Sequence, residues 1–206
     1  MDLGRPYSSV SPTLEGDVLA VLARTSGPLT GRAVARLAAR GSQSGINRAL
    51  DDLVSQGIVG RADAGSSYQY LLNRDHVAAP AVEHIAGLRS LLWERLRQAI
   101  ADWEPPVVHA SVFGSAARGE GGIESDIDVL VVHGEDVDPE AAGWRDQVAT
   151  LGDQIRRWTG NHAGMVELAS ADLPVLARER PALAEALRAD AVTLVGPDVA
   201  TLLEQA

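Results

Sequence analysis

Asp126 and Asp128 carry the clearest chemistry in this chain. They stand in Ser125-Asp126-Ile127-Asp128, which opens an apolar run from Val129 to Val132. In an extended segment the side chains at i and i+2 share a face, with their carbons roughly 7 Å apart. Positions 129–132 are apolar on both faces, the pattern of a covered strand. Two acids at the start of such a strand need a compensating charge, because an unpaired buried charge is costly. A hard cation supplies one. Mg²⁺ takes one or two carboxylates and fills its shell with water and substrate phosphates, and Mn²⁺ serves in the same place.

A second apolar segment (Val107, Val108, Ser111, Val112, Phe113) runs into Gly114-Ser115, followed by a small-residue turn with Arg118 and a glycine-rich loop. A strand ending where a short helix begins offers backbone N–H groups and a hydroxyl to phosphate oxygens. Gly-Ser, ten residues, then Asp-Ile-Asp on a second strand resembles the signature of the nucleotidyltransferase superfamily that includes DNA polymerase β. The match is closest to its minimal, prokaryotic branch and covers roughly Pro106 to the C-terminus. The resemblance implies transfer of a nucleoside monophosphate from an NTP, with ATP the expected one, to an acceptor hydroxyl, with release of pyrophosphate. It also implies a third carboxylate on the strand beside the aspartate pair. Glu167, the acid of the apolar segment GMVELA, is the position that matches, although many members carry Asp there. On this reading Asp126, Asp128 and Glu167 are both catalytic residues and metal ligands, holding two ions about 3.5–4 Å apart, with Glu167 able to act as general base. Gly114, Ser115, Arg118 and Ser125 are the nucleotide-binding candidates. Ser115 and the amides of Gly114 and Ser115 would hold phosphates, Arg118 would neutralise the leaving pyrophosphate or pair with Glu120 or Glu124, and Ser125 would orient Asp126.

Composition narrows the alternatives. The 206 residues are 46% apolar and 22% charged, with no Cys, a normal globular balance that permits no disulfide, thiolate zinc site or cysteine nucleophile. All 18 basic residues are Arg. The lack of lysine excludes Walker-A NTPases, Schiff-base enzymes and lysine-dependent kinases. With no apolar stretch of membrane-spanning length and no basic-plus-apolar leader, a cytoplasmic protein without membrane association is expected. The net charge of −10 is uneven: residues 1–76 carry eight Arg against seven acids, or +1, and residues 77–206 carry ten against 21, or −11. The C-terminal part would repel a polyanion, so any nucleic acid belongs with the N-terminal part.

The elements that must position these residues read as an α+β chain. Ser11-Pro12 looks like a helix start, with Leu14, Val18, Val21 and Leu22 at helical spacing. Thr30 can cap a second helix with Val34, Leu37 and Ala38 on one face. A third helix, from about Ser44 to Gln56, stops at Gly57. Segments 58–61 and 68–72 then read as a β-hairpin around 63–67. Residues 1–76 so ordered resemble a winged helix-turn-helix of the bacterial transcription-regulator kind. That resemblance places Gln43, Ser44, Asn47 and Arg48 toward the DNA major groove, the hairpin tip as the wing, and Arg36, Arg40, Arg61 and Arg74 near phosphates. Asp51, Asp52 and the near-neutral charge oppose tight binding, and such modules also dock proteins or dimerise. Residues 77–104 are expected as a connecting amphipathic helix that joins the domains, packs on its own domain or pairs with its copy in a homodimer. Residues 105–206 are expected as the nucleotidyltransferase domain, a small mixed β-sheet core flanked by helices, with a helix at 139–158 and a late strand at 191–195. The five His show no metal-ligand spacing.

Only 39 residues follow Glu167, short of the acceptor-binding domain usual in antibiotic- or tRNA-modifying relatives. A macromolecular acceptor or a toxin-like protein partner is therefore expected. Two competing readings remain open: a DNA-binding regulator whose second domain senses nucleotide without turnover, and a purely protein-binding role that would leave the acids without purpose.

Overall fold

The computed structural model describes residues 1–65 and 67–205. The chain divides into two compact units: residues 5–89, and residues 1–4 together with 90–206.

In the unit spanning 5–89, a 3-10 turn at Pro6–Ser9 precedes α1 (Leu14–Ala23), β1 (Leu29–Thr30), α2 (Gly31–Ala38), α3 (Gln43–Ser55), β2 (Val59–Ala64), β3 (Ser67–Leu72) and α4 (Ala79–Ala86). Hydroxyl caps set the helix starts, because the first amides of a helix have no partner within it. The Thr13, Thr30 and Ser42 hydroxyls accept from the amides of Gly16, Ala33 and Gly45 at 3.3, 3.2 and 3.1 Å. The first helix thus starts after Thr13 rather than at Ser11-Pro12, since Thr13 is the side chain placed to reach an amide three residues on. The hairpin pairs Val59 with Leu72 through to Ala64 with Ser67, and β1 adds beside β3 to give the antiparallel order β1-β3-β2. Ser66, at the expected wing tip, lies outside the described residues. Val18, Leu22, Val34, Ile46 and Leu50 are fully buried, whereas Leu37, expected inward, is 52% exposed.

The stretch expected as one connecting helix is two, α4 and α5 (Leu88–Ala101), with Gly87 between them at φ −87, ψ 4. Amphipathic spacing continues through Gly87, but its backbone leaves the helical region there. The division between units falls inside α5, between Arg89 and Ser90.

The other unit continues with β4 (His109–Phe113), α6 (Gly114–Arg118), β5 (Ile127–His133), α7 (Ala142–Thr159), β6 (Ala163–Ala169), α8 (Leu173–Glu179), α9 (Pro181–Asp190), β7 (Val192–Val195) and α10 (Val199–Gln205). Its mixed sheet has the order β6-β5-β4-β7, with β5 antiparallel to β4 and parallel to β6. One face packs Ile127, Val129 and Val131 with Leu96, Ile100, Trp144, Leu151 and Ile155 of α5 and α7. The other packs Phe113, Leu130 and Val132 with Leu173, Leu176, Leu187 and Leu203 of α8 to α10. Ile127 and the four residues 129–132 are all 0% exposed. Burial of each such side chain contributes about 1.5–3 kcal/mol, so β5 is a rigid rail for the acids at its start.

Candidate active site

Gly114 turns β4 into α6 at φ +67, a left-handed conformation that other residues adopt at a cost. Gly119 ends α6 with φ +72, and the chain folds back so that the amides of Glu120 and Gly121 both donate to the Ser115 carbonyl, at 2.9 and 3.1 Å. A Cβ on Gly121 would lie 3.4 Å from Ser115 Oγ, so the loop passes directly over that hydroxyl. Ser125 closes this loop: its Oγ accepts from the Gly122 amide at 3.0 Å.

Asp128 sits in a slot made by two glycines. It lies across from Phe113 on β4 and beside Gly164 on β6. A Cβ on Gly114 would come within 2.8 Å of Asp128 Oδ2, and one on Gly164 within 2.5 Å of Oδ1. The carboxyl is half-buried, and Asp126, two residues earlier, is exposed. Burial, and then the charge of Asp126, hold Asp128 above the usual carboxylate range. The structure therefore brings Gly114, Ser115, Ser125, Asp126 and Asp128 to one corner.

It does not bring Glu167 there. Glu167 pairs in register with Val131, three rungs along the parallel ladder from the Asp128–Gly164 pair. Three rungs are about 10 Å, and an odd number places the two acids on opposite faces. Asp128 shares the face of Leu130 and Phe113, whereas Glu167 is exposed on the edge strand and accepts a 2.9 Å bond from Trp144 Nε1 of α7. The expected three-acid cluster is corrected to a pair, and Glu167 is a partner of Trp144. Among the described residues no group of three or more His, Asp or Glu side chains is placed to hold a metal ion.

Arg118 is exposed and held by two carboxylates, Glu120 Oε2 and Asp190 Oδ2, each at 2.8 Å. Glu120 was one of its expected partners; Asp190, from the end of α9, was not. In the other unit Gln43, Ser44, Asn47 and Arg48 are all exposed along the first turns of α3, and Gln43 Nε2 donates to Asn47 Oδ1 at 2.9 Å. Of the arginines expected near phosphates, Arg40 pairs with Asp17, Arg61 with Asp51 and Arg74 with Glu83.

Asn161 is a site residue that periodicity does not find. It reads as the end of α7, yet it is 2% exposed, and its Nδ2 donates to the carbonyls of Ser125, Gly122 and Ile123 at 2.9, 3.1 and 3.4 Å. The Gly160-Asn161 pair is a helix-stop signal, and nothing local distinguishes a buried Asn from a solvated one.

Residues 93–159 match the family model described as "Nucleotidyltransferase domain". The matched segment contains the Gly114-Ser115 corner, Asp126 and Asp128, and it ends before Glu167. No curated protein matches the chain. Among solved structures, a toxin–antitoxin complex with AMP-PNP is 15% identical, with a TM-score of 0.38 over 55% of this chain and 82% of that one. A mutant of the toxin–antitoxin pair MntA-HpeT is 12% identical, with a TM-score of 0.38 over 55% and 81%. Human N-acetylserotonin methyltransferase in complex with SAM is 23% identical, with a TM-score of 0.29 over 46% and 31%. At these scores the likenesses settle neither fold nor activity. The family match places a nucleotidyltransferase domain within residues 93–159 and supports a transferase.

Proposed function

We propose that this chain moves a nucleoside monophosphate from an NTP, ATP first among them, to a hydroxyl of a macromolecular acceptor. The acceptor oxygen bonds to the α-phosphorus as the bond to the leaving pyrophosphate breaks, and the hydroxyl proton passes to water. The observation that carries the reading is Asp128, slotted between Gly114 and Gly164 with its pKa raised by burial and by Asp126. Two carboxylates that repel each other at one corner fit a divalent cation, Mg²⁺ or Mn²⁺, which would remove that repulsion. Such a cation supplies charge neutralisation for the triphosphate and a lower pKa for the attacking hydroxyl. Asp126 and Asp128 hold it, and Ser115 with the Gly114-Ser115 backbone lies beside the phosphates. Arg118 stays with Glu120 and Asp190, so its task is to tie α6 to α9. Glu167 has no part in the reaction.

We read residues 5–89 as a winged helix, supported by α1 to α3, the β1-β3-β2 sheet and the exposed row Gln43, Ser44, Asn47 and Arg48. DNA is its proposed partner. A gel shift on the DNA upstream of the protein's own coding region, weakened by Arg48→Ala, tests that half; an unchanged shift overturns the role of this row.

The separation of Glu167 from the pair favours a second reading, a domain that binds nucleotide without turnover. Incubation with labelled NTPs, Mg²⁺ and cell lysate distinguishes the two. Transfer of label to a macromolecule, lost in Asp128→Ala, supports catalysis. Nucleotide retained by the protein without transfer supports sensing.

A further inference from the structure

We propose that Asn161 is the positioning residue for Asp126: its buried amide fixes the backbone that lets Asp126 and Asp128 share one divalent cation. The inference rests on the dicarboxylate site proposed above.

Both peptide planes that flank Asp126 are held by neighbours at the end of α7. On the N-terminal side, the Ser125 carbonyl accepts from Asn161 Nδ2 at 2.9 Å. On the C-terminal side, the Ile127 amide donates to the carbonyl of His162, the residue after Asn161, at 2.8 Å. The exposed Asp126 side chain thus hangs from a fixed backbone. The same Nδ2 reaches the Gly122 and Ile123 carbonyls, so one side chain gathers three carbonyls of a glycine-rich loop that has little order of its own. The loop is held from its other side by the Leu3 amide, which donates to Gly121 O at 2.7 Å, with the Leu3 side chain fully buried in the same unit.

Asn161 is itself fixed. Gly160 at φ +80 turns the chain inward, the Asn161 amide donates to Thr159 Oγ1 at 3.1 Å, and Asn161 Oδ1 accepts from the Met1 ammonium. A helix-terminating Asn would bond the last carbonyls of its own helix; this one bonds carbonyls 36 to 39 residues upstream. Its place is better explained by the loop than by α7. A fully satisfied buried amide specifies one geometry, and truncating it removes the side-chain donor from the Ser125 and Ile123 carbonyls and leaves the Gly122 carbonyl with the Ser125 amide alone.

The test is Mn²⁺ binding to the full chain without nucleotide, followed by water-proton relaxation. Asn161→Ala is expected to weaken Mn²⁺ binding about tenfold, the low end for residues that orient metal ligands. Leu151→Ala, a core lesion in α7, is expected to lower the melting temperature and leave Mn²⁺ affinity unchanged. Asn161→Asp, of equal size but without the donor, repeats the measurement if the alanine variant does not fold. Hydrogen exchange on the wild type needs no variant: the Gly122, Ser125 and Ile127 amides are expected to exchange slowly, and fast exchange at all three overturns the proposal. Unchanged Mn²⁺ affinity in folded Asn161→Ala or Asn161→Asp overturns it alone. A wild type that binds no Mn²⁺ overturns the dicarboxylate site and this inference together.

Discussion

At Asp128 two glycines do the positioning, and they differ in a way that experiment can use. Gly114 has positive φ, and a Cβ there would meet Asp128 Oδ2; Gly164 has no positive φ, and a Cβ there would meet Oδ1. Gly114→Ala is expected to cost about 1–2 kcal/mol of backbone strain in addition to displacing the carboxylate. Gly164→Ala isolates the displacement: thermal melts should show the smaller loss of stability, while transfer activity falls by an order of magnitude or more. Equal losses of stability would show that positive φ is not what sets Gly114 apart. Binding of a cation by the native state alone raises its stability, so millimolar Mg²⁺ or Mn²⁺ should raise the wild-type melting temperature and leave Asp126→Asn unmoved. The aspartate pair was legible because its spacing is local, with Asp126 just before β5 and Asp128 near its start. Glu167 was not, because its relation to Asp128 depends on the register between two strands. A shift of one rung reverses every face, and that register is set by the 29 residues from 134 to 162, not by the pattern GMVELA.

Among the elements, the strands and the capped helices follow from alternation and hydroxyl spacing, whereas the division of residues 77–104 into α4 and α5 does not. Hydrophobic spacing runs through Gly87, and its departure from helix is a single-residue event. Gly87 has negative φ, and an added Cβ would meet backbone oxygens at ordinary contact, 3.4 and 3.5 Å. Gly87→Ala is therefore expected to stabilise the protein by about 0.4–1 kcal/mol in chemical denaturation, through loss of unfolded-state freedom; destabilisation would show that the break needs glycine. β4 carries a pH dependence. His109 is 0% exposed, its Nδ1 donates to Pro197 O at 2.8 Å and its Nε2 accepts from the Ser111 hydroxyl at 2.9 Å. Burial pushes its pKa below the ordinary value of 6.5, against a smaller upward pull from Pro197 O and Asp198. The sign follows from linkage. Above 6.5 His109 is neutral in both states; as pH falls below 6.5 the unfolded chain takes up a proton that the folded chain resists, so stability is lost. Unfolding free energy should decline from pH 7 toward 5 more steeply in the wild type than in His109→Gln. Equal slopes would remove His109 as the cause. The sequence marks this His only as lacking metal-ligand spacing, since nothing near it signals complete burial.

Across the whole molecule, the charge is unevenly spread. Residues 1–76 are close to neutral and residues 77–206 are strongly acidic. Any DNA affinity must come from a few exposed side chains such as Arg48 rather than from a basic field, and with so few phosphate contacts it should fall only shallowly with salt. The acidic part can approach a triphosphate only where a cation offsets Asp126 and Asp128. Among the described residues no helix is long and apolar enough to cross a membrane. The most direct test of the account compares three variants in one transfer assay with α-labelled ATP, Mg²⁺ and lysate. Label should pass to a macromolecule with the wild type and with Glu167→Gln, and fall at least a hundredfold with Asp126→Asn and with Asp128→Asn. No transfer by the wild type, or loss in Glu167→Gln equal to that in the aspartate variants, would contradict it.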